Sequence, residues 1–230
     1  MIYLESISSL SDQAYAKIRR MIVRLELPPG TAVREDDLQR RLGIGRTPIR
    51  EALQRLARDQ FVTVIPRRGM LVTSIEMSEL AILHETRAVM EPYAARLACA
   101  RGQPEHWASM AALLDGSPRR GTSPDITPSR LLDVDRGCHE IVWAAADNRF
   151  LTATLDMLYA QSDRLWHLYL ADVAGMVLAS AVDEHADILG ALRIGDADRA
   201  ADLVEAHVRS FEAQVSDAIA RRLARPLITK

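Results

Sequence analysis

Residues 43–62, GIGRTPIREALQRLARDQFV, decide the fold of the N-terminal part of this 230-residue chain. A turn bounded by two glycines comes first, and Ile44 between them is predicted to be buried in the core. From Arg46 to about Arg58 the apolar residues recur at helical spacing, which predicts a helix. Pro48 falls in its first turn, where the missing N–H does no harm. The inward-facing residues are Ile49, Ala52, Leu53 and Leu56, and the residues on the other side are Arg46, Thr47, Arg50 and Gln54.

Two helices are predicted before this one. Ser11 and Asp12 would cap the first, whose apolar residues recur at helical spacing until LPPG, residues 27–30, ends it. The second is predicted over Glu35–Leu42, with three acidic residues in its first turn, where the helix dipole favours them.

The period of the apolar residues then changes from that of a helix to that of a strand. FVTVI (residues 61–65) and MLVTSI (residues 70–75) are rich in β-branched residues, and PRRG (residues 66–69) separates them. This pattern predicts a two-stranded hairpin with a basic tip. Three helices followed by such a hairpin predict a winged helix-turn-helix domain over residues 8–75.

Charge is shared unevenly along the chain. Residues 11–75 contain 13 basic and 7 acidic residues, whereas residues 76–230 contain 16 basic and 23 acidic ones, and the net charge is −2. A helix with arginines on its outer face fits the major groove, and the hairpin tip can reach phosphates or the minor groove. A solvated helix face with pairs such as Glu51–Arg55 is the alternative, which the order of helices and hairpin disfavours. The expected partner is therefore double-stranded DNA, and the predicted contact residues are Arg46, Thr47, Arg50, Gln54, Arg67, Arg68 and Gly69.

From residue 78 onward every periodic segment is helical, which predicts an all-α bundle over residues 78–225 and a mainly α protein. No apolar run is long enough to cross a membrane, and the first residues do not resemble a secretory signal. The two cysteines show no pairing pattern, so a reducing cytoplasm is the expected compartment.

Four potential metal ligands are predicted to point into this bundle. Asp135 and His139 are four residues apart on one helix face, and His185 and His207 lie on apolar stripes of two further helices. Any one buried histidine usually finds an ordinary partner. Burying all four polar groups is costly unless they satisfy one another or bind a divalent ion, for which zinc comes first and nickel, manganese or iron also fit.

Residues 10–75 resemble the DNA-binding domain of GntR-family transcriptional regulators. The segment RTPIREAL, followed by an apolar strand and PRRG, carries the resemblance. It implies that Arg46, Thr47 and Arg50 contact the operator and that the wing around Gly69 enters the minor groove. Two positions depart from the family pattern. Gly45 replaces the usual serine cap, and Asp36 stands where some members have a DNA-contacting arginine.

The rest of the chain resembles the FCD-type effector domain of the FadR subfamily of these regulators. LHETRAVMEPYAARLACA, DVDRGCHEIVWAAADNRFL and EHADILGALRIGDADRAADLVEAHV carry the resemblance. It implies that Asp135, His139, His185 and His207 bind a metal, with one or two coordination positions left for an effector or water. Arg87 either clamps the carboxylate of a small organic acid or pairs with Glu91 at i,i+4.

The expected function is therefore that of a homodimeric, ligand-responsive repressor whose two recognition helices read a palindromic operator. The alternative is a metalloenzyme with an accessory DNA-binding domain. HEIVW (residues 139–143) disfavours it, because Trp143 stands where the second histidine of a zinc-hydrolase motif is needed. An architectural DNA protein would leave the four inward ligands unexplained.

Overall fold

The computed structural model describes residues 9–74, 77–115, 117, 128–169 and 175–224. The chain divides between Glu76 and Met77 into two compact units, each of which is considered by itself.

The first unit is a winged helix-turn-helix, as predicted. In chain order it contains α1 (Leu10–Val23), β1 (Ala32–Val33), α2 (Glu35–Leu42), α3 (Arg46–Arg58), β2 (Val62–Ile65) and β3 (Gly69–Val72). The bounds of α2 and α3 are those predicted from the sequence. Strand β1 was not predicted, and it converts the expected hairpin into a three-stranded antiparallel sheet of order β1-β3-β2.

The cap of α1 differs from the prediction. Ser9, rather than Ser11 and Asp12, is the N-cap, and its hydroxyl accepts from the backbone N–H of Asp12. Asp12 accepts in return from the backbone N–H of Ser9, so the two residues form a capping box.

The core of the first unit lies between its three helices and the sheet. Helix α1 packs on α3, which also contacts α2 and β2. Gly43 ends α2 in the left-handed conformation, with φ of 65°, and Ile44 is buried as predicted. The other large buried side chains of this core are Ile18, Ile22, Leu38, Ile49, Leu53, Leu56 and Phe61.

The second unit is the predicted helical bundle. Its elements are α4 (Met77–Arg101), α5 (Pro104–Asp115), α6 (Pro128–Ala145), α7 (Arg149–Tyr169), α8 (Gly175–Ile194) and α9 (Ala197–Ala224). Helix α4 packs against α6, α7, α8 and α9, and is therefore central to the bundle. Within the described parts of the chain, no helix is long and apolar enough to span a membrane.

The interior of the bundle contains charged side chains as well as apolar ones. Arg87 and Glu91 on α4 are 2% and 1% exposed, and Nε and Nη2 of Arg87 each lie 2.6 Å from Oε1 of Glu91. These two contacts with one carboxylate oxygen offset the desolvation cost of burying both charges.

We expect the substitution Arg87→Met to lower the free energy of unfolding by about 3–5 kcal/mol, because it leaves the Glu91 carboxylate buried without its cation. Urea unfolding of the full chain, followed by circular dichroism, measures this change. Arg209→Met is the matched control, since Arg209 and Glu205 form an i,i+4 pair that is mostly exposed and should contribute less than about 1 kcal/mol. Equal effects of the two substitutions would contradict the expectation.

Candidate metal centre and nucleic-acid interface

The structure brings Asp135, His139, His185 and His207 together inside the bundle. Each offers one ligand atom, and these atoms all lie within 4.8 Å of one another. All four residues are buried. Helix α6 supplies the first two, α8 the third and α9 the fourth, because each residue lies on the apolar stripe by which its helix packs into the bundle.

The Nδ1 atom of each of the three histidines lies beside an oxygen acceptor. Nδ1 of His207 lies 2.6 Å from Oε2 of Glu184, and Nδ1 of His185 lies 2.8 Å from the carbonyl oxygen of Ala181. Nδ1 of His139 is in close contact with Oε2 of Glu91. A proton on each Nδ1 would satisfy these acceptors and leave the Nε2 lone pair of each neutral ring for another partner.

The Nε2 atoms of His139 and of His207 lie close to each other and to the Asp135 carboxylate, while His185 approaches the same carboxylate with Nδ1, which lies 3.7 Å from Oδ1. Nε2 of His139 and of His207 are 3.2 Å apart, and Oδ1 of Asp135 lies 3.4 Å from Nε2 of His207. Oδ2 of Asp135 accepts a 2.6 Å hydrogen bond from the Tyr159 hydroxyl, whereas buried Oδ1 makes no hydrogen bond of ordinary geometry among the described residues. Polar ligand atoms of all four residues therefore converge in one buried cluster.

These buried groups differ in the direction in which their pKa values are shifted. Burial raises the pKa of Asp135, but His207 and the charges of the other two histidines hold it below its usual range. Burial opposes the charged form of His207 as well, yet hydrogen bonds to Asp135 and Glu184 raise its pKa to about 9. Burial and the neighbouring charge of His207 lower the pKa of His185 to about 3. An anionic carboxylate thus lies beside at least one neutral imidazole.

The four residues fit a divalent metal ion. Ligand bonds of about 2.0–2.2 Å place neighbouring donor atoms around one ion roughly 3–3.5 Å apart, close to the distances between these nitrogens and oxygens. Histidine ligands usually donate their second ring N–H to a carboxylate or a backbone carbonyl, and the Nδ1 contacts have this form. Three imidazoles and one carboxylate suit zinc, nickel, manganese and iron alike.

Arg87 joins this cluster through Glu91, which contacts both Arg87 and His139. Of the two contacts predicted for Arg87, the structure shows the pairing with Glu91. Burial raises the pKa of Glu91, but the charges of Arg87 and His139 lower it to about 2, so this carboxyl is ionised. The Arg87 guanidinium also lies 4.8 Å from the ring centroid of Tyr159.

Three polar residues of the site were not found from the sequence. Glu184 directly precedes His185, which turns its side chain about 100° away from that histidine around α8, yet its carboxylate reaches Nδ1 of His207. Glu91 was recognised only as a partner of Arg87. Tyr159 on α7 contacts Asp135 on α6, which lies 24 residues earlier in the chain. No spacing pattern in the sequence indicates this contact.

The residues predicted to contact DNA lie on the surface of the first unit. Arg46, Thr47, Arg50 and Gln54 are all exposed on one side of α3, while its opposite side is buried. The missing serine cap has the expected result, because Gly45 at the N-cap makes no side-chain hydrogen bond. Arg55 pairs with Asp12 of α1 at 2.6 Å, rather than with Glu51 as the alternative interpretation required.

The turn between β2 and β3 exposes Arg67, Arg68 and Gly69. Arg67 and Gly69 have φ angles of 64° and 92°, so this turn uses the left-handed region twice. Asp36, at the position where an arginine was considered, accepts a hydrogen bond from Gln39 on its own helix. Both α3 and the tip of the hairpin thus carry exposed basic residues.

Two protein-family models match the chain. The model of the FCD domain matches residues 82–210, more than half of the chain, and that of the bacterial regulatory proteins of the gntR family matches residues 10–72. The two matches fall on the helical bundle and on the winged helix-turn-helix, respectively.

Full-length relatives carry matching names. The Nta operon transcriptional regulator of Aminobacter aminovorans is 29% identical, over 86% of this chain and 91% of its own. The HTH-type transcriptional repressor RspR of Escherichia coli (strain K12) is 24% identical, over 90% of this chain and 89% of its own.

Solved structures share the fold. E. coli McbR/YncC superposes with a TM-score of 0.78 at 18% identity, covering 94% of this chain and all of its own. A putative transcriptional regulator GntR from Rhodococcus sp. RHA1 has a TM-score of 0.71 at 20% identity, covering 91% of this chain and 99% of its own. Taken with the family matches, these findings show that the chain belongs to the GntR family of bacterial regulatory proteins with an FCD domain, and that it is a transcriptional regulator rather than an enzyme.

Proposed function

We propose that this regulator is a metal-dependent sensor of a small organic acid, and that the acid controls binding of a homodimer to a palindromic DNA operator. Residues 8–75 form the DNA-binding domain, and residues 78–225 bind the effector and dimerise. The observation that carries the proposal is the buried cluster of Asp135 and three histidines, in which one ligand atom of each residue lies within 4.8 Å of the others and each Nδ1 lies beside an acceptor.

Asp135, His139, His185 and His207 are the proposed ligands of a divalent ion, with zinc first among the candidates and nickel, manganese or iron also compatible. Glu91, Glu184 and the Ala181 carbonyl fix the orientation of the imidazole rings, and Tyr159 holds the Asp135 carboxylate. When bound, such an ion supplies coordination positions at which the carboxylate of a small effector can be held.

Arg87 is the proposed second contact of the effector. Its Nε and Nη2 bind Glu91, so the contacts with Glu91 leave out Nη1. Glu91 connects Arg87 to His139, one of the proposed metal ligands. A guanidinium in this position suits an anion that contacts both the metal and Arg87. Binding of that anion can alter the Glu91–His139 contact and with it α4, the first helix of the bundle in the chain.

Arg46, Thr47, Arg50 and Gln54 are the proposed readers of the major groove, and Arg67, Arg68 and Gly69 the proposed wing contacts. Their exposure and the surplus of basic residues in this unit support the assignment. Two recognition helices of a homodimer match two half-sites about one helical turn apart. We propose a repressor acting in the cytoplasm, where its operator lies; the related E. coli protein RspR is named a repressor.

We expect the double substitution of His185→Ala and His207→Ala to abolish metal binding and to lower thermal stability, because both residues are proposed ligands on different helices. Elemental analysis of protein purified without chelators or immobilised-metal columns measures the metal content. His106→Gln is the matched control, since His106 lies outside the cluster.

Glu184→Gln tests the same site without removing a ligand, and it should weaken metal binding by about 10- to 100-fold. Glu205→Gln, on an exposed carboxylate of α9, should not. Wild-type protein that contains no metal and binds none on titration would refute the metal centre.

We expect Arg50→Ala to lower affinity for operator DNA by about 10- to 100-fold, because it removes a guanidinium that can form two hydrogen bonds with one base. Metal content should not change. Arg58→Ala removes the same charge from the exposed end of α3 and serves as the control. The measurement is a fluorescence titration against a duplex that the wild-type protein selects from a randomised library. Equal losses in the two variants would show that Arg50 acts only through its charge.

We expect small carboxylates to raise the thermal midpoint only when the metal is present. A ligand at one hundred times its dissociation constant adds about 2.7 kcal/mol to stability. Acetate, malonate and succinate are suitable first probes, tested with and without added zinc. The double His185→Ala and His207→Ala variant should show no such response. Stabilisation that is equal with and without the ion would place the effector elsewhere.

A further inference from the structure

One carboxylate on α2 contacts two of the arginines proposed to read DNA. Glu35 is the first residue of this helix, and its Oε2 accepts a 3.0 Å hydrogen bond from Nε of Arg46. Its other oxygen, Oε1, lies 3.1 Å from Nε of Arg50. The Glu35 side chain is 26% exposed, whereas those of Arg46 and Arg50 are 67% and 61% exposed.

These contacts restrict two long side chains whose outer ends lie in solvent. An unrestrained arginine loses rotamer freedom when it binds a base, and that loss weakens binding. Both contacts use Nε, so the terminal nitrogens, which form the fork that matches guanine O6 and N7, take no part in them. Glu35 therefore orders the two guanidiniums and leaves their base-reading edges available.

The same carboxylate has the opposite effect on contacts with the DNA backbone. A negative charge beside two arginines reduces the positive potential that attracts phosphates, whatever the base sequence. Glu35 thus weakens binding to every duplex through its charge, and strengthens binding to the matching duplex through preorganisation. The charge effect is the same for every duplex and leaves the ratio of affinities unchanged, so sequence discrimination increases through preorganisation alone.

We propose that Glu35 is a positioning residue that sets the sequence specificity of the recognition helix by holding Arg46 and Arg50 together. The inference rests on the proposed role of these arginines in reading the operator. It assigns to Glu35 a function beyond that of an acidic residue in the first turn of α2.

Stabilisation of the helix N-terminus is the competing role, and the chain offers a matched control for it. Asp37 also lies in the first turn of α2, but it pairs with Arg40 on the same helix. Asp37→Asn and Glu35→Gln each remove one negative charge from this turn. Only Glu35→Gln also changes the contact with the recognition arginines, because it replaces one of the two acceptor oxygens that face them with an NH2 donor.

The experiment measures dissociation constants at fixed salt for two duplexes. One is selected by the wild-type protein from a randomised library, and the other has the same bases in shuffled order. We expect Glu35→Gln to lower the ratio of the two affinities about tenfold, with tighter binding to the shuffled duplex. Asp37→Asn should keep the ratio within about twofold of the wild type. Glu35→Asp keeps the charge but shortens the side chain, and should lower the ratio by an intermediate factor.

A ratio for Glu35→Gln and Glu35→Asp within twofold of the wild type would overturn the inference, as would equal losses in Glu35→Gln and Asp37→Asn. Should Glu35→Gln fail to fold, Glu35→Asp decides the question, because it keeps the charge at the helix N-terminus. Failure of the underlying proposal looks different: the wild-type protein then selects no sequence, or Arg50→Ala keeps the full ratio.

Discussion

The burial of charge inside the helical bundle is the constraint on which the proposed sensor depends. Asp135, Glu91 and Arg87 are all almost completely removed from water, and so are three histidines. Each such group is unfavourable alone. The bundle places an acceptor beside each Nδ1, and Nε2 of His139 and of His207 lie near Asp135. A divalent ion bound by the four proposed ligands would complete this arrangement.

This arrangement also connects the centre to the architecture of the bundle. The proposed ligands come from α6, α8 and α9, while the groups that orient them come from α4, α7 and α8. Helix α4 carries both Glu91 and Arg87 and packs against four other helices. In the proposed sensor, a change in metal coordination would therefore act on helices that share one core, where packing allows discrete rearrangements rather than gradual deformation.

Local patterns predicted much of this structure, and their limits are physical. Periodicity identified α2, α3 and the helices of the bundle, because one buried face fixes the spacing of apolar residues. The same logic placed Asp135, His139, His185 and His207 on inward faces. Strand β1 is only two residues long, too short for any alternation, and it exists because β3 offers it a partner. Tyr159 and Glu184 were missed because their contacts join different helices.

The arginine contacts of Glu35 and of Glu91 differ in their exposure to solvent, and this difference suits them to different roles. The contacts of Glu35 lie in solvent, where an ion pair is worth about 0–1 kcal/mol and exchanges readily. Arg46 and Arg50 can therefore adjust to DNA at little cost while Glu35 still orders them. The Arg87–Glu91 pair is buried, and separating it would leave a charge without compensation. An effector anion that binds Arg87 must consequently join Glu91 or replace it, and replacement would release the Nδ1 atom of His139. In the proposed sensor, the buried pair would couple an anion to the metal centre, as an exposed pair could not.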